Sequence, residues 1–434
     1  MNYDKMYQQK LTTPALIAQK VEPGWTCCTD IAAAIPPAMM NALGERIAKE
    51  KLTGISLHTL LDLVDIGFLS PDVTSLGNTP VSWFSGAHLR SAINEARADI
   101  MPCYYRDMPQ LFREYVDMDA FFATVSPMDE HGFFSVGVVG SNSEVMIGKA
   151  RHIFLEVNEN MPRALSAPMI HISQVTALCE NNIPLPVSAA TAIDDTSRII
   201  GNLIAEEIPN GATLQLGIGA IPEAVGMALK SKQDLGIHTE LFTDSMVELI
   251  ECGAVTNDKK PIHRGKTVAT LAFGSKRIYD YIHENPSFLF LPVDYVNDPA
   301  VISQHPNFIS INAALEVDFF GQVCAESIGT RHVSGSGGQV DYVRGATQSK
   351  GGKSFIAFPS TAKGGTTSRI APTLTPGAIV TTSKNDVDYI VTEYGLAKLR
   401  GKTLSQRAKA LISIAHPKFR DELIFQAKKQ NIII

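Results

Sequence analysis

Short apolar runs recur along the chain with the length and composition of buried strands: FFATV (121–125), HIFLEV (152–157), TLQLGIG (213–219), SFLFLPV (287–293), SFIAFP (354–359) and AIVTT (378–382). Between them lie helical stretches, including HLRSAINEARADI (88–100) and RIIGNLIAEEI (198–208). Several of the runs are apolar at consecutive positions, so both faces of the strand must be covered. Strands alternating with helices predict an α/β protein with largely parallel sheets.

The pattern breaks near NNIPLPVSAATAIDDTSR (181–198), where two prolines and small polar residues precede a helix predicted to be capped around Asp194 to Thr196. That break divides the chain into two α/β halves, residues 1–190 and 191–434. The stretches FFATVSPMDEHGFFSVGVV (121–139) and FISINAALEVDFFGQVCAE (308–326) share a rhythm of strand, acidic turn, Gly and Phe-Phe, then strand. An old duplication and a chance similarity of two hairpins both account for it.

Composition adds several exclusions. At 434 residues, each half is long enough to bury its own core without disulfides. The six cysteines (Cys27, Cys28, Cys103, Cys179, Cys252, Cys324) show neither a CxxC pair nor zinc spacing, so they read as reduced thiols and no metal is expected. With 38 basic and 44 acidic residues the formal charge is −6, which gives no reason to expect a nucleic acid. The N-terminus lacks the apolar core of a signal peptide, and no stretch approaches the roughly 18 apolar residues of a membrane span. A soluble cytoplasmic protein without membrane contact is the expectation.

Three segments carry candidate chemistry. In GIGAIP (217–222) a Gly-containing loop leaves an apolar strand and opens a helix, so its N–H groups converge on an anion or a developing oxyanion. Pro222 suits the first helical turn. Glu240 follows about twenty residues on, as the ribose-binding acid of a dinucleotide fold would. Three readings stay open on these residues alone: a nicotinamide site, a site for another anion, and a tight turn with a surface acid. The segment ESIGTRHVSGSGGQVD (326–341) packs Gly335, Gly337 and Gly338 into four residues, as either a close ligand approach or a surface loop. FPSTAKGG (358–365) ends a strand with Lys363, as either a solvated cation or a partner for phosphate or carboxylate.

Taken together, GIGAIP, IHTELFTD, SGSGGQVD and VTEYGLAKLRGKTLSQRAKALISIAHPKFRDEL (391–423) resemble the acetyl-CoA hydrolase/transferase family, over nearly the whole chain and most strongly after residue 210. Within that family the resemblance is greatest to members acting on 4-hydroxybutyrate and on butyrate and acetate. It implies two domains of the NagB/RpiA/CoA-transferase type, with the active site in the cleft between them and the catalytic glutamate and CoA loops in the second. Residue by residue, it implies a nucleophilic glutamate at Glu240 that becomes a glutamyl-CoA thioester. It further implies coenzyme A contacts at Gly217, Ile218, Gly219, Ala220 and Ile221, at Leu315, Ser334 and Gly338, and at Lys363. VRGATQSKGGK (343–353) is a few residues longer than in the acetate/succinate members, so positions between Gly338 and Lys363 do not transfer across subfamilies.

The implied activity moves CoA between a short acyl-CoA and a short carboxylate by ping-pong chemistry. It needs no tightly bound cofactor beyond coenzyme A as substrate. A hydrolase using the same glutamate, and a CoA-binding sensor that does not need it, are the alternatives. His88 and His131 read as structural rather than catalytic, and helix capping and packing account for Arg400 and His416 at least as well as catalysis does. A homo-oligomer is implied by the family, while the preferred acyl group is not legible.

Overall fold

The structure, a computed structural model, describes residues 2–189 and 192–433. The chain forms two compact units, one of residues 1–188 and 269–294, the other of residues 189–268 and 295–434. The expected boundary at residues 190 and 191 lies outside the described residues.

The first unit is built on a seven-stranded sheet. Its strands are β1 (Thr26–Thr29), β2 (Ser56–Thr59), β3 (Thr79–Ser82), β4 (Asp99–Ile100), β5 (Ala120–Val125), β6 (His152–Val157) and β7 (Ala177–Glu180), in the order β4-β3-β2-β1-β5-β6-β7. Every pairing in it is parallel. Each residue of β5 is buried, which explains why FFATV shows no polar alternation. Helix α1 (Pro37–Glu50) buries Met39, Met40, Leu43 and Ile47 in the core beneath this sheet.

The second unit repeats that order. Strands β8 (Thr213–Leu216), β9 (Gly236–Phe242), β10 (Phe308–Ala313), β11 (Lys353–Ala357), β12 (Tyr389–Thr392) and β13 (Gly395–Lys398) run β9-β8-β10-β11-β12-β13. The pairings of β8 with β9 and β10, of β10 with β11, and of β11 with β12 are parallel; only β13 is antiparallel to its neighbour. The central order 2-1-5-6-7 of the first sheet thus recurs as 9-8-10-11-12. The two stretches with a shared rhythm, 121–139 and 308–326, begin on the equivalent strands β5 and β10. No helix of the described chain is long and apolar enough to cross a membrane.

The apolar runs that became strands did so where neighbours covered both faces. AIVTT is the exception: it makes no strand, and of its residues only Thr382 forms an isolated bridge, to Val323. Ile379 and Val380 are 46% and 44% exposed, so nothing covers the run as a sheet would require. The helix expected over 88–100 spans Ala87–Asn94, because Ala96 turns left-handed and Asp99–Ile100 pairs into the sheet as β4. The helix at the break is α2 (Asp195–Glu206), capped by the Asp194 side chain, which accepts from the Ser197 N–H at 2.7 Å.

Candidate active site

The five parallel strands β9, β8, β10, β11 and β12 point the same way, so the loops that follow them leave from one end of the sheet. Glu240 projects near the end of β9. On the neighbouring strand β8, Leu216 leads directly into the 217–221 loop and helix α3 (Ala220–Ala228). Between β8 and β10 the side-chain amides of Gln215 and Asn312 bond reciprocally, each at 3.3 Å. This fixes the floor from which the loop departs.

The loop is held open. Gly217 donates its N–H to the Ile311 carbonyl at 2.9 Å, tying the loop base to β10. Gly219 sits at φ 111° and ψ 179°, a region essentially reserved for glycine, and turns the chain into α3. No side chain of the described residues caps that helix start. The N–H groups of Ile218, Gly219, Ala220 and Ile221 accordingly donate to no acceptor among the described residues. Ile218 is 59% exposed, whereas Ile221 packs inward.

Glu240 is only partly exposed, and its carboxyl is gripped by two donors. Asn297 Nδ2 donates to Glu240 Oε2 at 2.6 Å, and the backbone N–H of Gly338 donates to the same carboxyl. Burial raises its pKa to about 7, against the opposing effect of those two bonds. Asn297 is itself fully buried, and its backbone is held by His238, two residues before Glu240, whose Nε2 donates to the Val296 carbonyl at 2.8 Å.

Gly338 is where glycine is needed most. A Cβ there would stand 2.0 Å from Glu240 Oε2 and 2.3 Å from Asn297 Nδ2, distances no side chain tolerates. It precedes helix α4 (Gln339–Gln348), and the Gln339 side chain anchors that helix start by donating to the Ala313 carbonyl at 2.8 Å and accepting from Thr382 Oγ1 at 2.8 Å.

The structure therefore brings Gly338 onto Glu240 and puts Gly217, Ile218, Gly219, Ala220 and Ile221 at the end of the adjacent strand. Leu315 is half-buried just beyond β10, its N–H bonded to the Cys324 carbonyl at 2.8 Å. Ser334 is half-buried at the start of the turn that ends in Gly338. Lys363 is exposed in the hairpin turn between Thr361–Ala362 and Thr367–Ser368, at φ 51°. It makes no contact with Glu240.

Sequence reasoning missed Asn297. It lies 57 positions from Glu240 in an unremarked stretch, VNDPA, and only the folding of the chain makes it a neighbour. Among the described residues no group of three His, Cys, Asp or Glu side chains is placed to hold a metal. His131 is 73% exposed beside Glu130, and His88 pairs at 3.8 Å with Asp65 at the surface. His416 caps the C-terminal helix through Nδ1, which accepts from the Lys418 N–H at 3.3 Å, and Arg400 is exposed.

Models of the acetyl-CoA hydrolase/transferase N-terminal and C-terminal domains match residues 1–188 and 274–427. The chain is 44% identical to a succinyl-CoA:cyclohexane-1-carboxylate CoA transferase of Geobacter metallireducens, covering 100% of this chain and 98% of the relative. It is 42% identical to a 4-hydroxybutyrate coenzyme A transferase of Clostridium kluyveri, covering 99% and 100%. Among solved structures, RipA from Yersinia pestis superposes with a TM-score of 0.93 at 38% identity over 100% of both chains. A 4-hydroxybutyrate CoA-transferase from Porphyromonas gingivalis superposes with a TM-score of 0.82 at 36% identity over 99% of this chain and 100% of that one. With both domain models matched and relatives this similar along its whole length, the chain belongs to the acetyl-CoA hydrolase/transferase family.

Proposed function

We propose that this protein transfers coenzyme A between a short-chain acyl-CoA and a short carboxylate, with Glu240 as the nucleophile. The observation that carries the reading is the half-buried Glu240, its carboxyl held by one amide and one backbone N–H beside an unfilled loop of N–H donors. Such a carboxylate is fixed in direction yet retains lone pairs for attack.

In the first step an oxygen of Glu240 attacks the acyl-CoA carbonyl, the C–S bond breaks, and a mixed anhydride and CoA thiolate result. The thiolate then attacks the glutamyl carbonyl, releasing the acyl group as free carboxylate and leaving Glu240 as a CoA thioester. An incoming carboxylate attacks that thioester to give a second anhydride and thiolate. Attack of the thiolate on the new acyl carbonyl frees Glu240 and forms the product acyl-CoA. Each addition puts negative charge on a carbonyl oxygen, and the N–H groups of Ile218, Gly219, Ala220, Ile221 and Gly338 are the donors we assign to it. Ile218, Leu315, Ser334 and Lys363 are assigned to the CoA chain.

The named activities of the relatives are CoA transfers, which favours transfer over hydrolysis for this chain. Acetate, butyrate and 4-hydroxybutyrate are the carboxylates we propose, in a cytoplasmic homo-oligomer. The test is to mix the protein with acetyl-CoA alone, quench in acid, and find covalent CoA on the Glu240 peptide by mass spectrometry. Added butyrate should then consume the adduct and form butyryl-CoA. Release of free CoA alone would indicate a hydrolase, and CoA binding with no adduct would overturn the nucleophile.

A further inference from the structure

The turn that presents Gly338 to Glu240 is short, rich in glycine and without regular structure, so something must hold it in place. Val333, Ser334 and Ser336 of that turn are each tied to Glu326. The Glu326 carbonyl accepts from the N–H of Val333 at 2.9 Å and of Ser334 at 3.3 Å. Glu326 is only 8% exposed as a residue, and its carboxylate accepts from Ser336 Oγ at 3.4 and 3.3 Å and from Thr381 Oγ1 at 2.9 Å. Thr381 in turn accepts from the Ala325 N–H at 2.9 Å, and its own N–H bonds the Val323 carbonyl at 2.8 Å. The strap carrying Thr381 and Thr382 is thereby locked to both ends of the turn, because Thr382 also holds Gln339 at the start of α4.

A buried carboxylate is costly unless its lone pairs are filled, and a purely structural staple needs no charge. Here the carboxylate gathers the hydroxyls of Ser336 and Thr381, while the Glu326 main-chain carbonyl takes the N–H groups of Val333 and Ser334, and the turn so fixed ends at the Gly338 N–H. We infer that Glu326 is a positioning residue for the CoA transfer proposed above: it touches neither Glu240 nor the CoA assigned to the site, but sets the direction in which Gly338 donates.

The inference rests on Glu240 being the nucleophile, so the wild-type adduct is measured first. Given that adduct, E326A should lower the rate of adduct formation about tenfold or more, within the range seen when an outer-sphere partner or an oxyanion donor is lost. It should leave the KM for acetyl-CoA nearly unchanged. The Gly338 N–H favours the ionised form of Glu240, so losing it moves the pH midpoint of adduct formation upward, which mere loss of folded protein would not do. E326Q, which keeps an acceptor for Thr381, should recover most of the rate. If E326A does not fold, S336A removes a contact to the turn while keeping the acid, and its midpoint should move the same way by a smaller amount. Wild-type rate and midpoint in the folded variant would overturn the inference. Absence of the wild-type adduct would instead strike at Glu240.

Discussion

Two glutamates, one on each sheet, are held in nearly the same grip. Glu156 on β6 takes a 2.6 Å bond from Asn181 Nδ2, as Glu240 on β9 takes one from Asn297. Burial raises the pKa of both. The difference lies in the remaining partners. Glu156 is fully buried and also accepts from the N–H groups of Ala38 at 3.4 Å and Met39 at 3.1 Å, at the start of α1. It completes a helix end, where a negative charge is favoured, and both of its oxygens are engaged. Glu240 meets one backbone donor and keeps part of its surface open. A carboxylate saturated by the fold is a structural cap, whereas one oriented but left unsaturated near the end of its strand can react. An apolar strand that interrupts itself with a glutamate does not by itself say which.

That contrast is broken most directly by exchanging each acid for its amide. E240Q should lower CoA transfer on the order of 10⁴-fold or more, as loss of a nucleophile does, while CoA binding persists. E156Q should leave turnover within about twofold and cost roughly 1–3 kcal/mol in urea unfolding, the price of disturbing a buried charged cap. Equal loss of activity in both would erase the distinction.

Next in size is G338A. Its Cβ would collide with the pair that holds Glu240, so turnover should fall about 10²–10³-fold with the fold retained, measured by steady-state kinetics beside circular dichroism.

A third expectation concerns pH. The carboxyl of Glu240 titrates near 7, so adduct formation should fall as pH drops through that value. The folded pKa lies above the ordinary glutamate value of 4.5. The stability linked to its proton is therefore fully present below the ordinary range and lost as pH rises through about 7. E240Q should consequently be more stable than wild type at pH 8, by on the order of 2–3 kcal/mol, and the gap should close toward pH 5. Thermal unfolding at the two pH values checks this. No gap at pH 8 would mean that the site carries no buried charge.

The smallest effects belong to the rim. I218A and K363A should each raise the KM for acetyl-CoA about three- to tenfold with little change in kcat, because both side chains are exposed and neither touches Glu240. A fall in kcat alone would move them from CoA binding to the chemistry.

The alternation of apolar strands and helices was enough to establish an α/β protein with parallel sheets, since covered strands must be apolar on both faces and short local patterns report that directly. Local chemistry likewise marked Asp194 as a cap, and the motifs around GIGAIP, Glu240 and SGSGGQVD carried the family. What the sequence left open was decided by contacts between distant positions. Asn297 reaches Glu240 across 57 residues, Glu326 reaches Thr381 across 55, and the two sheets share a strand order that no local pattern records. The fate of AIVTT, apolar yet uncovered, was settled in the same way. Periodicity is a property of neighbours along the chain, whereas the number of donors around a buried carboxylate, and so whether it caps or reacts, exists only once the strands have been laid side by side.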